Sequence, residues 1–325
     1  MMSLEALDTS MIEGERLDRD SVQSSIRQQL GLATGHKQVS PAEAGISEMM
    51  VTLCRSLVEP LCHDALFAWH RMIMRNRHDL SSIGCYRTHT EAMQIASRSG
   101  KVHFEGPPSH QVPAEMERFL EWFQRTAPKG SHPLPAVTRA GLAHLWFESI
   151  HPFEDGNGRI GRAIAEKALA QGASTPVLTA VAGTLLKRRK DYYQALESAS
   201  RTLEITDWLL WFASVAIESQ RHSLAHIEFI LNKTRLLDLV SCQLNPRQEK
   251  AVLRMLAAGP DGFTGGMSAG QYMGITGTLQ ATTTRDLDSL VKMGVLNRTG
   301  ERKATRYHLN VPLKHVEMVR VEDIL

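Results

Sequence analysis

The chain has 325 residues and a formal net charge of +2, because 37 Lys and Arg nearly balance 35 Asp and Glu. This balance gives no strong field of either sign, so it neither implies nor excludes a nucleic acid partner. With 42% hydrophobic and 22% charged residues, the composition is that of a globular protein with one sizeable core and a smaller second domain.

The cysteines and the N-terminal stretch indicate the compartment. The four cysteines have no C-x-x-C or paired spacing, which suits a reducing environment. The N-terminus lacks the basic and apolar regions of a secretory signal. The richest apolar run, from Trp208 to Ile217, is shorter than the roughly 20 residues of a membrane helix. We therefore expect a cytoplasmic protein.

The first 35 residues predict a docked helical segment. A short helix is expected to open at Thr9, and an apolar stripe then continues until Gly31. The stripe consists of Leu17, Val22, Ile26 and Leu30.

A second group of helices is predicted from residue 40 onward. Ser40-Pro41-Ala42-Glu43 has an N-cap serine, a proline at N1 and a glutamate at N3, so a helix should run to about Leu57. Another is expected from about Pro60 to Met74. The helical rhythm then breaks, and two short β-capable pieces around Ser99-Gly100 predict a hairpin.

The stretch from Ser149 to Arg162 carries the chemistry. It contains a histidine, an aspartate, three glycines and two arginines, and then runs into a helix-forming segment. Glycines leave backbone N–H groups uncovered, and a helix N-terminus favours anions, so phosphate oxygens would be stabilised here. Asp155 is a hard oxygen ligand suited to Mg²⁺, and His151 has the pKa range of a general base.

The same stretch also satisfies G-x-G-x-x-G between Gly156 and Gly161, the dinucleotide-binding fingerprint. That fingerprint must follow a hydrophobic strand. The preceding residues 137–150 have helical spacing instead, with Ala140, Ala143 and Phe147 on one face. We therefore reject a Rossmann fold.

From His151 to Arg162 the sequence resembles the Fic family signature H-P-F-x-(D/E)-G-N-G-R-x-x-R, with every specified position filled. The resemblance extends over roughly residues 9–215. It implies a mainly α-helical domain with a small β-hairpin flap. It also implies transfer of AMP from ATP to a Tyr, Thr or Ser hydroxyl of a target protein, or of the protein itself, with release of pyrophosphate.

The resemblance assigns a role to each site residue. His151 would be the catalytic base and Asp155 would hold Mg²⁺, while Phe153 would anchor the loop. ATP would be bound by Gly156, Asn157, Gly158, Arg159, Gly161, Arg162, Tyr192 and Tyr193, although a core role for one tyrosine is equally open. The flap residues Ile95, Ala96 and Ser97 would align the target segment by main-chain pairing.

An inhibitory motif is also present. Thr9-x-x-x-Glu13-Gly14 fits the pattern (S/T)-x-x-x-E-(G/N) that Fic proteins use for autoinhibition. The resemblance implies that Glu13 reaches Arg162. The predicted domains are therefore an inhibitory segment over 1–35, a catalytic domain over 36–240, and a winged-helix domain over 245–325.

The last 80 residues predict three helices followed by two short strands, the order of a winged helix-turn-helix domain. Basic residues on its third helix and wing could contact phosphates, namely Arg285, Lys292, Arg298, Arg302, Lys303 and Arg306. Asp286 and Asp288 on the same helix count against this, so DNA and protein partners both stay open.

Three alternatives remain at this point. The same motif could remove AMP from a modified target or transfer another phosphate-linked group. The chain could also be a DNA-binding regulator that senses nucleotide. A homodimer is a further open possibility.

Overall fold

A computed structural model describes residues 1–32, 38–96, 102–173, 178–201, 204–240, 242–260, 262–263, 265–312 and 314–324. The chain divides into two compact units. Unit 1 comprises Met1–Gln220 and Val319–Leu325, and unit 2 comprises Arg221–Met318. The predicted boundary between residues 240 and 245 lies within unit 2, and the predicted domain limits stay a prediction.

Unit 1 is helical except for one hairpin. Its helices are α1 (Met2–Ile12), α2 (Arg19–Gln29), α3 (Pro41–Arg55), α4 (His63–Ile73), α5 (Val112–Arg125), α6 (Ala136–Ile150), α7 (Asn157–Gln171), α8 (Val181–Lys187), α9 (Arg189–Ala199) and the first part of α10 (Thr206–Val240). Strands β1 (Gln94–Ala96) and β2 (Val102–Glu105) pair antiparallel, with Gln94 opposite Glu105. The predicted turn at Ser99-Gly100 lies outside the described residues.

The N-terminal segment differs from the prediction. Helix α1 begins at Met2 rather than at Thr9, so Thr9 lies in its last turn. The earlier start has a packing cause, since Ala6 and Ile12 are fully buried in the core and no turn residue interrupts the preceding stretch. A second helix follows after Asp18, whose side chain accepts a hydrogen bond from the Ser21 N–H.

The loop that begins the motif at His151 lies between helices α6 and α7, which belong to the core of unit 1. Helices α6 and α7 pack along each other, and the six residues 151–156 connect them. Phe119, Phe147 and Ile164 are fully buried in this core. Complete burial of such a side chain stabilises the fold by about 1.5–3 kcal/mol. The connecting loop is therefore fixed at both ends by well-packed helices.

A C-terminal segment completes unit 1. Val319 is 1% exposed, and its N–H donates to Oε2 of Glu218 at 3.1 Å. Its carbonyl accepts from Nη1 of Arg188 at 3.3 Å. Unit 1 is thus discontinuous in sequence, because unit 2 separates Glu218 from Val319.

Unit 2 contains the rest of α10, then α11 (Pro246–Leu256), α12 (Ala269–Thr276), α13 (Gln280–Lys292) and the antiparallel strands β3 (Leu296–Thr299) and β4 (Arg306–Leu309). As predicted, Asn245 and Gln248 form a capping box at the start of α11. The element order is that expected, whereas assignment to the winged-helix class stays a prediction. In the described residues no helix is long and apolar enough to span a bilayer.

Candidate active site

The loop between α6 and α7 has an unusual backbone at both ends. His151 ends α6 with φ of 49°, and Gly156 precedes α7 with φ of 82°. The left-handed region is unfavourable for a residue with a side chain and persists only where the surroundings impose it. Here Asn157 closes the loop, because its Oδ1 accepts from the Phe153 N–H at 2.9 Å and its Nδ2 donates to the Phe153 carbonyl at 2.8 Å.

Phe153 anchors this loop, as the sequence predicts. Its side chain is fully buried. The ring stacks on His70 with the centroids 4.2 Å apart and an interplanar angle of 10°. The loop therefore has an apolar attachment to α4 in addition to its hydrogen bonds.

His151 has the state and position of a general base. Its Nδ1 lies 3.3 Å from the Glu148 carbonyl, which can only accept, so the proton resides on Nδ1 and Nε2 keeps its lone pair. Burial lowers the pKa of His151 to about 4. The imidazole is therefore neutral at pH 7 and can take a proton.

A cavity of about 770 Å³ lies beside this loop. The predicted site residues that line it are His151, Asp155, Gly156, Asn157, Gly158, Arg162, Tyr192 and Tyr193, together with Glu13. Arg159 and Gly161 do not line it. Its volume is within the usual range for small-molecule sites.

Arg162 is held by the N-terminal segment. The residue is 1% exposed, and its Nε donates to the Thr9 hydroxyl at 2.7 Å. Its Nη2 donates to the Thr9 carbonyl at 3.1 Å and to Oε1 of Glu13 at 2.6 Å. Burial acts to lower the pKa of Arg162, but the Glu13 carboxylate outweighs it and the pKa is raised. The guanidinium is therefore charged, and the N-terminal segment binds its Nε and Nη2.

Arg159 pairs with a second carboxylate from the same segment. Its Nη1 donates to Oε2 of Glu15 at 3.0 Å, and the arginine side chain is 8% exposed. Both arginines of the motif are thus bound by residues that directly follow α1.

The Glu13 carboxylate lies against the start of α7. A Cβ at Gly158 would lie 2.2 Å from Oε1 of Glu13 and 3.0 Å from Nη1 of Arg162. Glycine is therefore what allows the carboxylate to approach the first turn of the helix. Because this turn favours negative charge, Glu13 lies where a phosphate would also be stabilised.

Asp155 is ionised and paired. Burial acts to raise its pKa, but donation from Arg77 and the charge of Arg159 prevail, and the pKa lies below its usual value. Nη1 of Arg77 lies 2.7 Å from Oδ2, and the Gly156 N–H donates to Oδ1 at 2.6 Å.

The residues near Asp155 fit one mode of Mg²⁺ binding. Within the described part of the chain no group of three His, Cys, Asp or Glu side chains is arranged to hold a metal. Mg²⁺ commonly binds through one or two carboxylates plus substrate phosphates. A single ionised aspartate therefore suits a cation that arrives with a nucleotide.

Comparison with known proteins agrees with this geometry. Residues 60–169 match the Fic/DOC family, and residues 1–32 match a domain of unknown function, DUF4172. The chain is therefore similar to the Fic/DOC family over residues 60–169. A protein adenylyltransferase Fic of Nematostella vectensis is 27% identical over 166 residues, which are 51% of this chain and 34% of that protein. A probable protein adenylyltransferase of Aquifex aeolicus is 29% identical over 96 residues, 30% of this chain and 26% of that protein.

Solved structures share the fold. A Fic family protein from Desulfovibrio desulfuricans has a TM-score of 0.54 at 20% identity, covering 95% of this chain and 86% of that one. A Fic-domain-containing signaling protein from Bacteroides thetaiotaomicron has a TM-score of 0.51 at 22% identity, covering 67% of this chain and 84% of that one. The matches to the two curated relatives span about a third or less of those proteins.

The two tyrosines of the Fic domain differ in environment. Tyr192 is 1% exposed, and its hydroxyl lies 2.8 Å from Nε2 of the buried His144. Tyr193 is 43% exposed, and Arg189 lies over its ring at 5.7 Å. One ring is therefore part of the core and the other is open, although both reach the cavity.

The hairpin of the Fic domain lies beside the cavity. Phe104 of β2 contributes to the lining. Ile95 and Ala96 belong to β1, opposite Phe104 and Val102. Ser97, the third predicted flap residue, lies outside the described residues.

Sequence reasoning did not assign a role to four residues that contact the candidate site residues, namely Glu15, Arg77, Arg87 and Glu148. Arg87 is 1% exposed, and its Nε donates to the His151 carbonyl at 2.8 Å. Its Nη2 donates to the carbonyls of Pro107 and Ile150. The sequence Gly84-Cys-Tyr-Arg87 was the one local signal for Arg87. Glu15 and Arg77 lie far along the chain from their partners, and Glu148 lies in a helix without a local motif.

Proposed function

We propose that the chain transfers AMP from ATP to a Tyr, Thr or Ser hydroxyl of a target protein, and that Glu13 suppresses this reaction at rest. One observation carries the proposal. His151 and Arg162, at opposite ends of the Fic motif, line a single cavity of about 770 Å³. The Glu13 carboxylate accepts a hydrogen bond from this arginine. The names of the relatives support the same activity.

The chemistry assigned to His151 is general base catalysis. The hydroxyl oxygen of the target attacks the α-phosphorus of ATP and forms an O–P bond. The bond between the α-phosphorus and the oxygen that bridges it to the β-phosphorus breaks. Nε2 of His151 takes the hydroxyl proton, and pyrophosphate leaves. A positioned base commonly contributes about 10²–10⁴ in rate.

The phosphates would be held by the start of α7. The backbone N–H groups of Gly156, Asn157 and Gly158 precede or begin that helix, and Arg162 supplies positive charge. Asp155 would hold Mg²⁺, which when bound neutralises charge on the phosphate oxygens.

The inhibition assigned to Glu13 follows from charge. The Glu13 carboxylate accepts a hydrogen bond from Arg162, as a phosphate oxygen of ATP would. Glu13 and the phosphate therefore compete for the same N–H group. Charge-assisted hydrogen bonds to arginine are stronger than neutral ones. ATP would therefore bind in a non-productive arrangement while Glu13 remains in place.

Labelled ATP tests the proposal. Glu13→Gly protein incubated with α-labelled ATP should acquire covalent label, whereas γ-labelled ATP should leave none, because pyrophosphate departs. The double variant Glu13→Gly, His151→Ala should bind ATP and stay unlabelled. Label from the γ-position would indicate phosphate transfer instead, and release of AMP from a modified protein would indicate the reverse reaction.

A further inference from the structure

A second ionisable group lies beside the base. Glu148 occupies the last turn of α6, and its Oε2 is 3.9 Å from Nδ1 of His151. Its side chain is 12% exposed. Its other oxygen, Oε1, is buried and has no hydrogen-bond partner among the described residues. A buried carboxyl oxygen without a hydrogen-bond partner costs free energy, so its retention calls for a reason.

Other buried glutamates of unit 1 have a structural reason that Glu148 lacks. The carboxylate of Glu5 accepts from the Ala182 N–H at 3.0 Å. That of Glu166 accepts from the N–H groups of Thr179 and Val181 at 2.7 and 2.6 Å. Both therefore join α8 or the residues before it to the core. The carboxyl of Glu148 instead lies 3.9 Å from Nδ1 of His151.

The neighbouring helix leaves space for this carboxyl. A Cβ at Gly161 of α7 would lie 2.4 Å from Oε1 of Glu148, closer than nonbonded atoms approach. The glycine in the variable part of the motif is thus what lets the carboxyl lie behind the base. Gly161 does not line the cavity, so contact with a ligand there does not explain it.

We propose that Glu148 is a positioning residue for His151. In this role its carboxylate shares the Nδ1–H with the Glu148 carbonyl, which lies 3.3 Å from Nδ1, and balances the positive charge that the ring acquires when Nε2 takes the proton of the target hydroxyl. The inference rests on the proposed function, since it needs His151 to be a base. A small rotation of the glutamate side chain would shorten the 3.9 Å separation to a hydrogen bond.

The charges around Glu148 link this role to Glu13. Arg162 of α7, Glu13 after α1, and Tyr192 of α9 face it electrostatically, and His144 shares α6 with it. Burial raises the pKa of Glu148 to about 8, Arg162 opposes the shift and Glu13 adds to it. When Glu13 withdraws, one cause of the raised pKa disappears, so the carboxyl ionises more readily. Burial remains the main cause of the raised pKa, so withdrawal of Glu13 shifts the balance towards the carboxylate without completing its ionisation.

The test separates the effect of the negative charge of Glu148 from the effect of its side-chain size. In the Glu13→Gly background, Glu148→Gln keeps the size but removes the charge, and Glu148→Asp keeps the charge on a shorter side chain. Glu117→Gln is the matched control, because Glu117 pairs with His63 at 2.9 Å away from the cavity lining. For each variant, kcat, KM for ATP and the pH dependence of kcat are measured by α-label transfer.

We expect Glu148→Gln to lower kcat about ten- to a hundredfold, as loss of a hydrogen bond to a charged group commonly does. KM for ATP should be unchanged, and the rise of kcat with pH that reports ionisation of Glu148 should disappear. Glu148→Asp should retain more activity than Glu148→Gln, and Glu117→Gln should retain all of it.

Two results would overturn the inference while the parent variant transfers AMP. One is a Glu148→Gln protein with unchanged kcat and pH profile. The other is a Glu148→Gln protein more active than Glu148→Asp, which indicates that Glu148 acts through packing. Absence of transfer in Glu13→Gly itself would refute the proposed function and, with it, any role for Glu148 in that reaction.

Discussion

Oε1 of Glu13 lies 2.6 Å from Nη2 of Arg162, and a Cβ on Gly158 would block this approach. A hydrogen bond to a charged group is worth about 1.5–3 kcal/mol. Glu13→Gly should therefore raise AMP transfer about ten- to a hundredfold, measured as self-labelling at saturating ATP and Mg²⁺. Adding Arg162→Ala should remove the gain. Equal rates for wild type and Glu13→Gly would show that Glu13 has no inhibitory role.

Glu15 should add a weaker inhibition through Arg159. Its side chain is 37% exposed, so the pair is screened and worth less than that of Glu13. We expect Glu15→Gln to raise kcat/KM for ATP about two- to fivefold, because Arg159 is released for phosphate. Glu48→Gln, which breaks the exposed pair with Arg75, is the control and should change nothing. A decrease in kcat/KM would mean that Glu15 supports ATP binding instead.

Arg77 should compete with the cation for Asp155. It is 39% exposed and donates to Oδ2 of Asp155 at 2.7 Å. In the Glu13→Gly background, Arg77→Ala should lower the Mg²⁺ concentration for half-maximal transfer severalfold, since the carboxylate no longer has to leave an arginine. Asp155→Ala should raise that concentration in the same assay. A higher Mg²⁺ requirement in Arg77→Ala would assign Arg77 to phosphate binding.

Buried carboxyls should make unit 1 less stable as pH rises. Burial raises the pKa of Glu148 to about 8 and that of Glu166 to about 7, from an ordinary 4.5. Because the folded chain holds these protons longer than the unfolded chain, their stabilisation is complete below pH 4.5 and is lost as pH rises through the folded values. His151 and His70, with pKa values lowered to about 4, act with the opposite sign below pH 6.5.

The Tm of the protein should therefore fall between pH 6.5 and 8.5, and fall less in Glu148→Gln. Each kcal/mol corresponds to about 2–4 °C in a domain of 150–250 residues. Differential scanning fluorimetry across this range provides the measurement. An equal loss of Tm in both proteins would show that Glu148 is already ionised at pH 6.5.

Deletion of the chain from Val319 onward should destabilise unit 1. The deletion removes the Val319 N–H, which donates to Glu218, and the Val319 carbonyl, which accepts from Arg188. Both hydrogen bonds are buried. Arg188 and Glu218 keep their bond to each other, but each loses a hydrogen bond to a charged group worth about 1.5–3 kcal/mol, so Tm should fall by several degrees. Val319→Ala, which keeps both backbone bonds and loses two methyl groups, should cost about 1–2 kcal/mol. Equal Tm values for the full chain and the deletion would contradict the described contact.

Local signals predicted the Fic motif and most helix positions. The capping box predicted at Ser40 is present at the start of α3. His151, Asp155 and Arg162, which the family signature places within twelve residues, line one cavity, while their roles stay predictions. These features depend on neighbours in sequence, which periodicity and caps report.

The sequence could not reveal pairs that form only on folding. Arg77 and Asp155, or Glu15 and Arg159, lie far apart in the chain and carry no local pattern. In the sequence, Glu148 resembles any glutamate near the end of a helix. Its proposed role depends on the burial of Oε1 and on the close approach of Gly161 on the neighbouring helix α7, which only the folded chain shows. The start of α1 was missed because burial of Ala6, rather than a capping residue, decides it.

The discontinuity of unit 1 has a consequence for its biosynthesis. A ribosome makes α1 first, then α7, then all of unit 2, and residues 319–324 only afterwards. Domains tend to fold as they emerge from the ribosome. Glu13 is therefore already available when Arg162 emerges, whereas the partner of Glu218 and Arg188 arrives last. A nascent chain should form the Glu13–Arg162 contact before unit 1 is complete, so under the proposed function a ribosome-bound intermediate would be inactive.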